Sequence, residues 1–133
     1  MDQKAFNLAT TYVHLGLGAR ARQLPDFEWS AEYLATYEAD TASDGPEGRL
    51  VMISSSDDSW SSWERHPHGE ELVVLLSGRA TVIQQINDAE ERVDLTAGHA
   101  LINPAGVWHT ADVYEPSTFL FITPGLATEH TPR

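Results

Sequence analysis

The sequence predicts an all-β domain, a small barrel or sandwich with a short amino-terminal helical segment, and three observations carry that expectation. Short apolar runs rich in β-branched residues recur from Arg49 onward. Glycine, proline and Asn-Asp turn signals separate them at steady intervals. The chain has 133 residues, 41% of them hydrophobic and 21% charged, which fits one soluble domain able to bury its own core.

Residues 1–48 read as an extension, 49–126 as the barrel core and 127–133 as a tail. Thr11 to Leu24 is mixed and has room for a short edge strand. Pro25-Asp26 opens a helical stripe through Phe27, Trp29, Tyr33, Leu34 and Tyr37, with Ser30 or Asp26 as cap. Thr41 to Gly48 is rich in small residues and acids and predicts a loop. Strands are then expected at Leu50–Ile53, Leu72–Leu76, Ala80–Ile86, Arg92–Leu95, Ala100–Ile102, His109–Val113 and Thr118–Thr123. Asn87-Asp88 between two of them predicts a hairpin.

Composition removes several classes of function. The chain has no cysteine, so thiolate metal sites, disulfides and cysteine nucleophiles are excluded, and any metal must sit on His, Asp or Glu. Twenty acids against eight bases give a net charge of −12, spread along the chain, which repels phosphate backbones and anionic membranes. Nucleic acid and membrane partners are therefore not expected, whereas a small-molecule ligand or substrate is. No run reaches the ~20 apolar residues of a membrane span, and Met1-Asp2-Gln3-Lys4 lacks the basic start of a signal peptide. A cytoplasmic protein is the expectation.

Ligand-type side chains concentrate in two segments. The first runs Trp63-Glu64-Arg65-His66-Pro67-His68-Gly69-Glu70-Glu71. In an extended chain Glu64 and His66 share a face, and alternation sets Glu71 with Val73 and Leu75, leaving Glu70 on the other side. The second runs from Gly98 to His109, with Pro104 and Gly106 between them. Gly98 and Gly106 suit tight turns that need positive φ, and Pro104 fixes the loop ahead of His109. His66, four residues, Glu71, six residues and Gly78 form one motif; Gly98, five residues, Pro104, one residue, Gly106, two residues and His109 form another. In this order and separation they resemble the paired motifs of the cupin family, over about a third of the chain.

The resemblance implies a cupin double-stranded β-helix, a jelly-roll-like barrel, holding one divalent metal ion on Glu64, His66, Glu71 and His109. It also implies a homodimer formed through barrel edges. The chain departs from the family at three places: Glu64 stands where a histidine is usual, Asp58 where the first motif opens with glycine, and Val113 where an asparagine is often found. A set of two His and two carboxylates is harder than the usual one and suits Mn²⁺ or Fe²⁺, although affinity order favours Ni²⁺ and Zn²⁺. His66-Pro67-His68 offers a rival pair of ligands; Glu64 with His66 is preferred because that spacing needs no deletion. His99 is expected to be exposed, and His14 and His130 to be structural or solvated.

Trp63 and Trp108 adjoin ligand positions, so alternation points them away from the metal. Val73, Leu75, Ala111 and Val113 share the faces of Glu71 and His109 and are expected to line an apolar cavity. The catalytic residues and the substrate stay open. A metal-dependent dioxygenase, isomerase or lyase is one reading; a non-catalytic binding or sensor module, with or without metal, is the other, and a barrel that has lost its metal is a third.

Overall fold

The computed structural model describes residues 3–125 and 127–133. Two points of the sequence reading, Met1-Asp2 and the barrel boundary at residue 126, lie outside them. Two antiparallel sheets face each other. The first has six strands: β1 (Tyr12–Gly16), β2 (Arg20–Leu24), β3 (Arg49–Ser56), β5 (Glu71–Ser77), β8 (Ala100–Asn103) and β10 (Ser117–Pro124), in the order β2-β1-β3-β10-β5-β8. The second has five: β4 (Ser62–Arg65), β6 (Arg79–Ile86), β7 (Ala89–Thr96), β9 (His109–Val113) and β11 (Glu129–Pro132), in the order β11-β4-β9-β6-β7. This is the expected all-β architecture, with one α-helix among the described residues, α1 (Ala31–Thr41), against the first sheet's side of the molecule. No helix among the described residues is long and apolar enough to cross a membrane.

Most expected strands form for the expected reason. Asn87 and Asp88 both take positive φ (51° and 64°), and the tight turn pairs Ile86 with Ala89. Gly78 has φ 93°, and a β-carbon there would lie 2.6 Å from the Pro116 carbonyl oxygen, so only glycine fits between β5 and β6.

Four expectations need correction. The single edge strand near Thr11–Leu24 is a hairpin, β1 with β2, turned by Gly18 and Ala19 at φ 75° and 58°. The helix starts later: the Ser30 side chain accepts from the Tyr33 N–H at 3.1 Å, and Phe27 and Trp29 precede it as an aromatic cluster with Tyr12 and Tyr33. The loop that follows is mostly a 3-10 segment, Ala42–Glu47. The largest correction concerns the tail. Glu129–Pro132 is a strand paired with β4, exposed at all four positions, so no apolar alternation marked it.

The core lies between the sheets. Val73, Leu75, Ala80, Val82, Leu95, Ala111, Val113, Phe119 and Phe121 pack together, with Trp60 and Met52 against them. A smaller cluster of Leu24, Tyr37 and Leu50 seats the helix. A polar latch reinforces it: His14 contacts the Tyr37 hydroxyl and the Asp44 carboxylate, each at 2.7 Å. His14 is thus structural, as expected.

Candidate metal centre

Strand register assembles the site. Residues directly opposed in an antiparallel pair point to the same face. In the second sheet His130 opposes Glu64, Glu64 opposes His109, and His109 opposes Gln84. One cross-strand row therefore carries four polar side chains on the same face, from exposed His130 to buried His109 and Gln84. In the first sheet Glu71 opposes Asn103. His66 follows directly after β4, and its carbonyl accepts the Gly106 N–H at 2.9 Å, which ties the two motif loops together. Gly106 has φ 75° and Gly98 φ 88°, as the turns required.

Glu64, His66, Glu71 and His109 converge there, each offering a ligand atom, and these atoms lie within 4.8 Å of one another. Nε2 of His66 is 3.0 Å from Glu64 Oε1 and 3.2 Å from Glu71 Oε2; Nε2 of His109 is 3.2 Å from Glu71 Oε1 and 3.8 Å from Glu64 Oε1. These approaches lack hydrogen-bond direction, and both Nε2 atoms are buried without a partner. Buried polar atoms of this kind are rare and need a reason. A cation between them and the two carboxylates fits the donors present.

The other ring nitrogens are held from outside. His109 Nδ1 faces the Val107 carbonyl at 3.2 Å, which can only accept, so Nδ1 carries the proton and Nε2 turns inward. His66 Nδ1 meets Thr128 Oγ1 at 3.0 Å. Glu71 accepts from Asn103 Nδ2 at 3.0 Å and from Thr123 Oγ1 at 2.6 Å, while Gln84 Nε2 donates to Asn103 Oδ1 at 2.8 Å.

The electrostatics are those of four opposed charges in a dry place. Burial alone would push both glutamates up, but the close approach of the His109 and His66 rings, and their positive charge, hold Glu71 at about 2 and Glu64 well below the carboxylate range. Burial likewise lowers the histidines, yet contact with Glu64 and Glu71 overrides it and raises each to about 9. Without a cation, protons on the two rings balance the two carboxylates.

His68 and His99 are exposed and lie outside this cluster. Glu70 is also exposed. Trp63 and Trp108 do not border the cavity; Arg65 stacks over Trp108 at 4.5 Å. The cavity itself, about 760 Å³, is bordered by Glu64, His66 and Glu71 and differs from the expected one. Val73, Leu75, Ala111 and Val113 do point inward, but they fill the packed core. The walls come instead from Leu50, Met52, Trp60, Phe121 and the helix side, with a rim of serines and acids from Ser54 to Ser62. Sequence reasoning missed Asn103, Thr123, Thr128 and His130. Only Asn103, a poor strand former just before Pro104, carried a visible signal.

Comparison with known proteins agrees with this fold. Residues 51–123 match the family model described as Cupin domain. No curated protein matches the chain. Among solved structures, an uncharacterized conserved protein with a double-stranded β-helix domain from Klebsiella pneumoniae subsp. pneumoniae MGH 78578 is 24% identical, with TM-score 0.53, covering 64% of this chain and 76% of that one. A cupin superfamily protein from Desulfitobacterium hafniense DCB-2 is 25% identical, with TM-score 0.50, covering 57% and 66%. Hydroxypropylphosphonic acid epoxidase from S. wedmorenis, in complex with fosfomycin, is 10% identical, with TM-score 0.50, covering 56% and 43%. The likeness to the first and third is one of fold.

Proposed function

This chain belongs to the cupin family, and from that premise we propose that it is a metal-dependent protein acting on a small molecule, with one divalent ion held by Glu64, His66, Glu71 and His109. One observation carries the reading: two buried imidazole nitrogens without partners face two carboxylates beside a cavity of about 760 Å³. Mn²⁺ and Fe²⁺ suit the carboxylates, while Ni²⁺ and Zn²⁺ gain from general affinity order. Bound there, the ion would act as a Lewis acid that polarises a substrate oxygen.

The chain's own residues set the rest. Glu64 and Glu71 offset the charge of the ion, so the net charge of the cavity falls to its rim. Glu38, Asp57 and Asp58 border it, and no Lys or Arg does among the described residues. Trp60, Phe121 and Met52 supply apolar wall. This lining supports a neutral or cationic, partly apolar ligand and disfavours a carboxylate or phosphate. A dioxygenase, isomerase or lyase is the class of enzyme we favour. A homodimer through the sheet edges and a cytoplasmic site of action complete the reading; β2, β8, β7 and β11 are edge strands whose free backbone groups invite pairing.

The test is metal analysis of untagged protein, before and after incubation with each of the four ions. About one ion per chain is expected, with His109→Ala losing at least a hundredfold in affinity, since truncating one ligand leaves the remaining donors incomplete. Wild-type protein that takes up none of the four would overturn the proposal. Metal-loaded protein that binds small molecules tightly without converting them would favour a binding module.

A further inference from the structure

The four clustered residues are supported by a segment that the sequence left as tail. Thr128 Oγ1 lies 3.0 Å from His66 Nδ1, and His130 Nε2 lies 2.8 Å from Glu64 Oε2. Two of the four therefore take a hydrogen-bond partner from residues 128–130. Both partners also border the cavity. The segment lies beyond the stretch shared with the family, 51–123. It reaches the site because β11 adds to the free edge of β4, with His130 directly opposite Glu64.

The division of labour at Glu64 is specific. Oε2 accepts from His130, while Oε1 faces the imidazoles of His66 and His109. The His130 side chain is 58% exposed, so it contributes little burial to the fold. Nor is it needed to dock β11. Arg65 pairs with Glu129 at 3.1 Å, and Arg133 pairs with Asp112 on β9. What His130 does is fix one oxygen of a carboxylate that is itself partly solvent-accessible.

We propose that Thr128 and His130 form an outer clamp of the metal centre, resting on the reading of Glu64 and His66 as ligands. Thr128 accepts the Nδ1 proton of His66, which orients the ring and leaves Nε2 for the ion. His130 donates to one oxygen of Glu64 and commits the other to the centre. Both are positioning residues. Outer partners of this kind commonly contribute ten- to a hundredfold to metal affinity. The pairing also bears on the exchange of histidine for Glu64: a carboxylate has two equivalent oxygens, and one of them must be restrained for the residue to serve as a single-point ligand.

Co²⁺ is the probe, because its visible absorption reports coordination number and its affinity is measurable against a chelator. Full-length wild-type, His130→Ala, His130→Gln, Thr128→Val and Thr128→Ser proteins would each be titrated in the same buffer. His130→Ala and Thr128→Val are expected to weaken Co²⁺ binding about tenfold. His130→Ala should also change the Co²⁺ bands as Glu64 is freed. His130→Gln and Thr128→Ser keep a suitable polar group and should return both readouts toward wild type. The melting temperature of metal-free His130→Ala should stay near that of wild type. Wild-type affinity and spectrum in either Ala or Val variant would remove that residue from the clamp, and in both would overturn it. Should His130→Ala fail to fold, His130→Gln and the Thr128 pair still give the answer. A wild-type protein that binds no Co²⁺ takes the metal reading down as well, which separates the two failures.

Discussion

The barrel interior has two halves built by one rule and put to different use. From Glu71, every second residue of β5 points inward: Glu71, Val73, Leu75. From His109, β9 does the same with Ala111 and Val113. A step of two residues along each strand thus turns the interior from charged to apolar. Val73, Leu75, Ala111 and Phe119 are essentially without exposure and make a continuous core. Glu71 and His109 are as deeply buried, yet their neighbours are carboxylates, imidazoles and amides. The difference teaches that burial here serves two ends. In the apolar half it supplies the hydrophobic stabilisation. In the polar half it concentrates charge that costs folding energy unless compensated, and strengthens whatever cation the charges receive.

The largest expected effect separates the halves. Phe119 is fully buried against Trp60 and Phe121. Phe119→Ala should cost about 3–5 kcal/mol of unfolding free energy. Because Phe119 is remote in register from Glu64 and Glu71, metal affinity of the folded fraction should hold. Denaturant unfolding of metal-free protein, with a Co²⁺ titration under folding conditions, checks both. A large loss of affinity with little loss of stability would mean that the halves are coupled.

Protonation should drive the halves apart. His66 and His109 rise to about 9 in the metal-free fold, from about 6.5 when unfolded. Their contribution to stability is fully present below about 6.5 and is lost as pH climbs through 9. The glutamates, held low, contribute above about 4.5 and lose that contribution as pH falls toward their folded values. Metal-free protein should therefore be most stable between about pH 4.5 and 6.5 and weaken toward 9. Metal affinity should rise over that upper range, because the ion displaces up to two ring protons. Melting curves of metal-free and Zn²⁺-loaded protein at several pH values test this: the gap between them should widen with pH. A metal-free melting temperature that climbs from pH 6.5 to 9 would contradict the charge arrangement.

How far the sequence spoke can be judged by the same contrast. Alternation placed Glu71, Val73 and Leu75 on one face, and motif spacing brought Glu64, His66 and His109 to them. Both are local signals. The depth of each residue along the barrel was not legible. Period-two patterning says which face a side chain takes but not whether a cavity or a partner lies opposite, so alternation alone puts the apolar wall at Val73 and Ala111, whereas Met52, Trp60 and Phe121 form it. Strand β11 is silent for another reason: Glu129-His130-Thr131-Pro132 is polar on both faces, and the segment is held by Arg65 of β4 to Glu129 and by Arg133 to Asp112 of β9, contacts distant in sequence.

A smaller effect concerns the cavity rim. Glu38, Asp57 and Asp58 are solvated, and each contributes about 0.5 kcal/mol to a cation at ~8 Å through water. Together they attract a cation by about 1.5 kcal/mol and repel an anion by as much, so 2-phenylethylamine should have about a hundredfold advantage over 3-phenylpropionate in metal-loaded protein at low salt, read from the fluorescence of Trp60 and Trp29, which both border the cavity. The advantage should shrink with salt and in Asp57→Asn/Asp58→Asn. Tighter binding of the carboxylate would mean that the ion, rather than the rim, decides the sign.

The smallest expected effect comes from returning the unusual ligand to the family's usual one. Glu64→His keeps a donor opposite His109 and His130, so the protein should still bind a divalent ion. What changes is balance. Two imidazoles and two carboxylates become three imidazoles and one carboxylate, a softer set, and preference should move from Mn²⁺ toward Ni²⁺ and Zn²⁺ by about tenfold in a direct competition. The same substitution removes one of the two charges that hold His66 and His109 protonated. The loss of metal-free stability with rising pH should then begin at a lower pH, since each ring is left with Glu71 alone to oppose its desolvation. The two readouts come from one cause, and that makes the variant informative despite its modest size. An unchanged Mn²⁺/Ni²⁺ ratio with an unchanged pH profile would mean that Glu64 neither ligates nor sets the charge of the centre, and that its bond to His130 is its whole role.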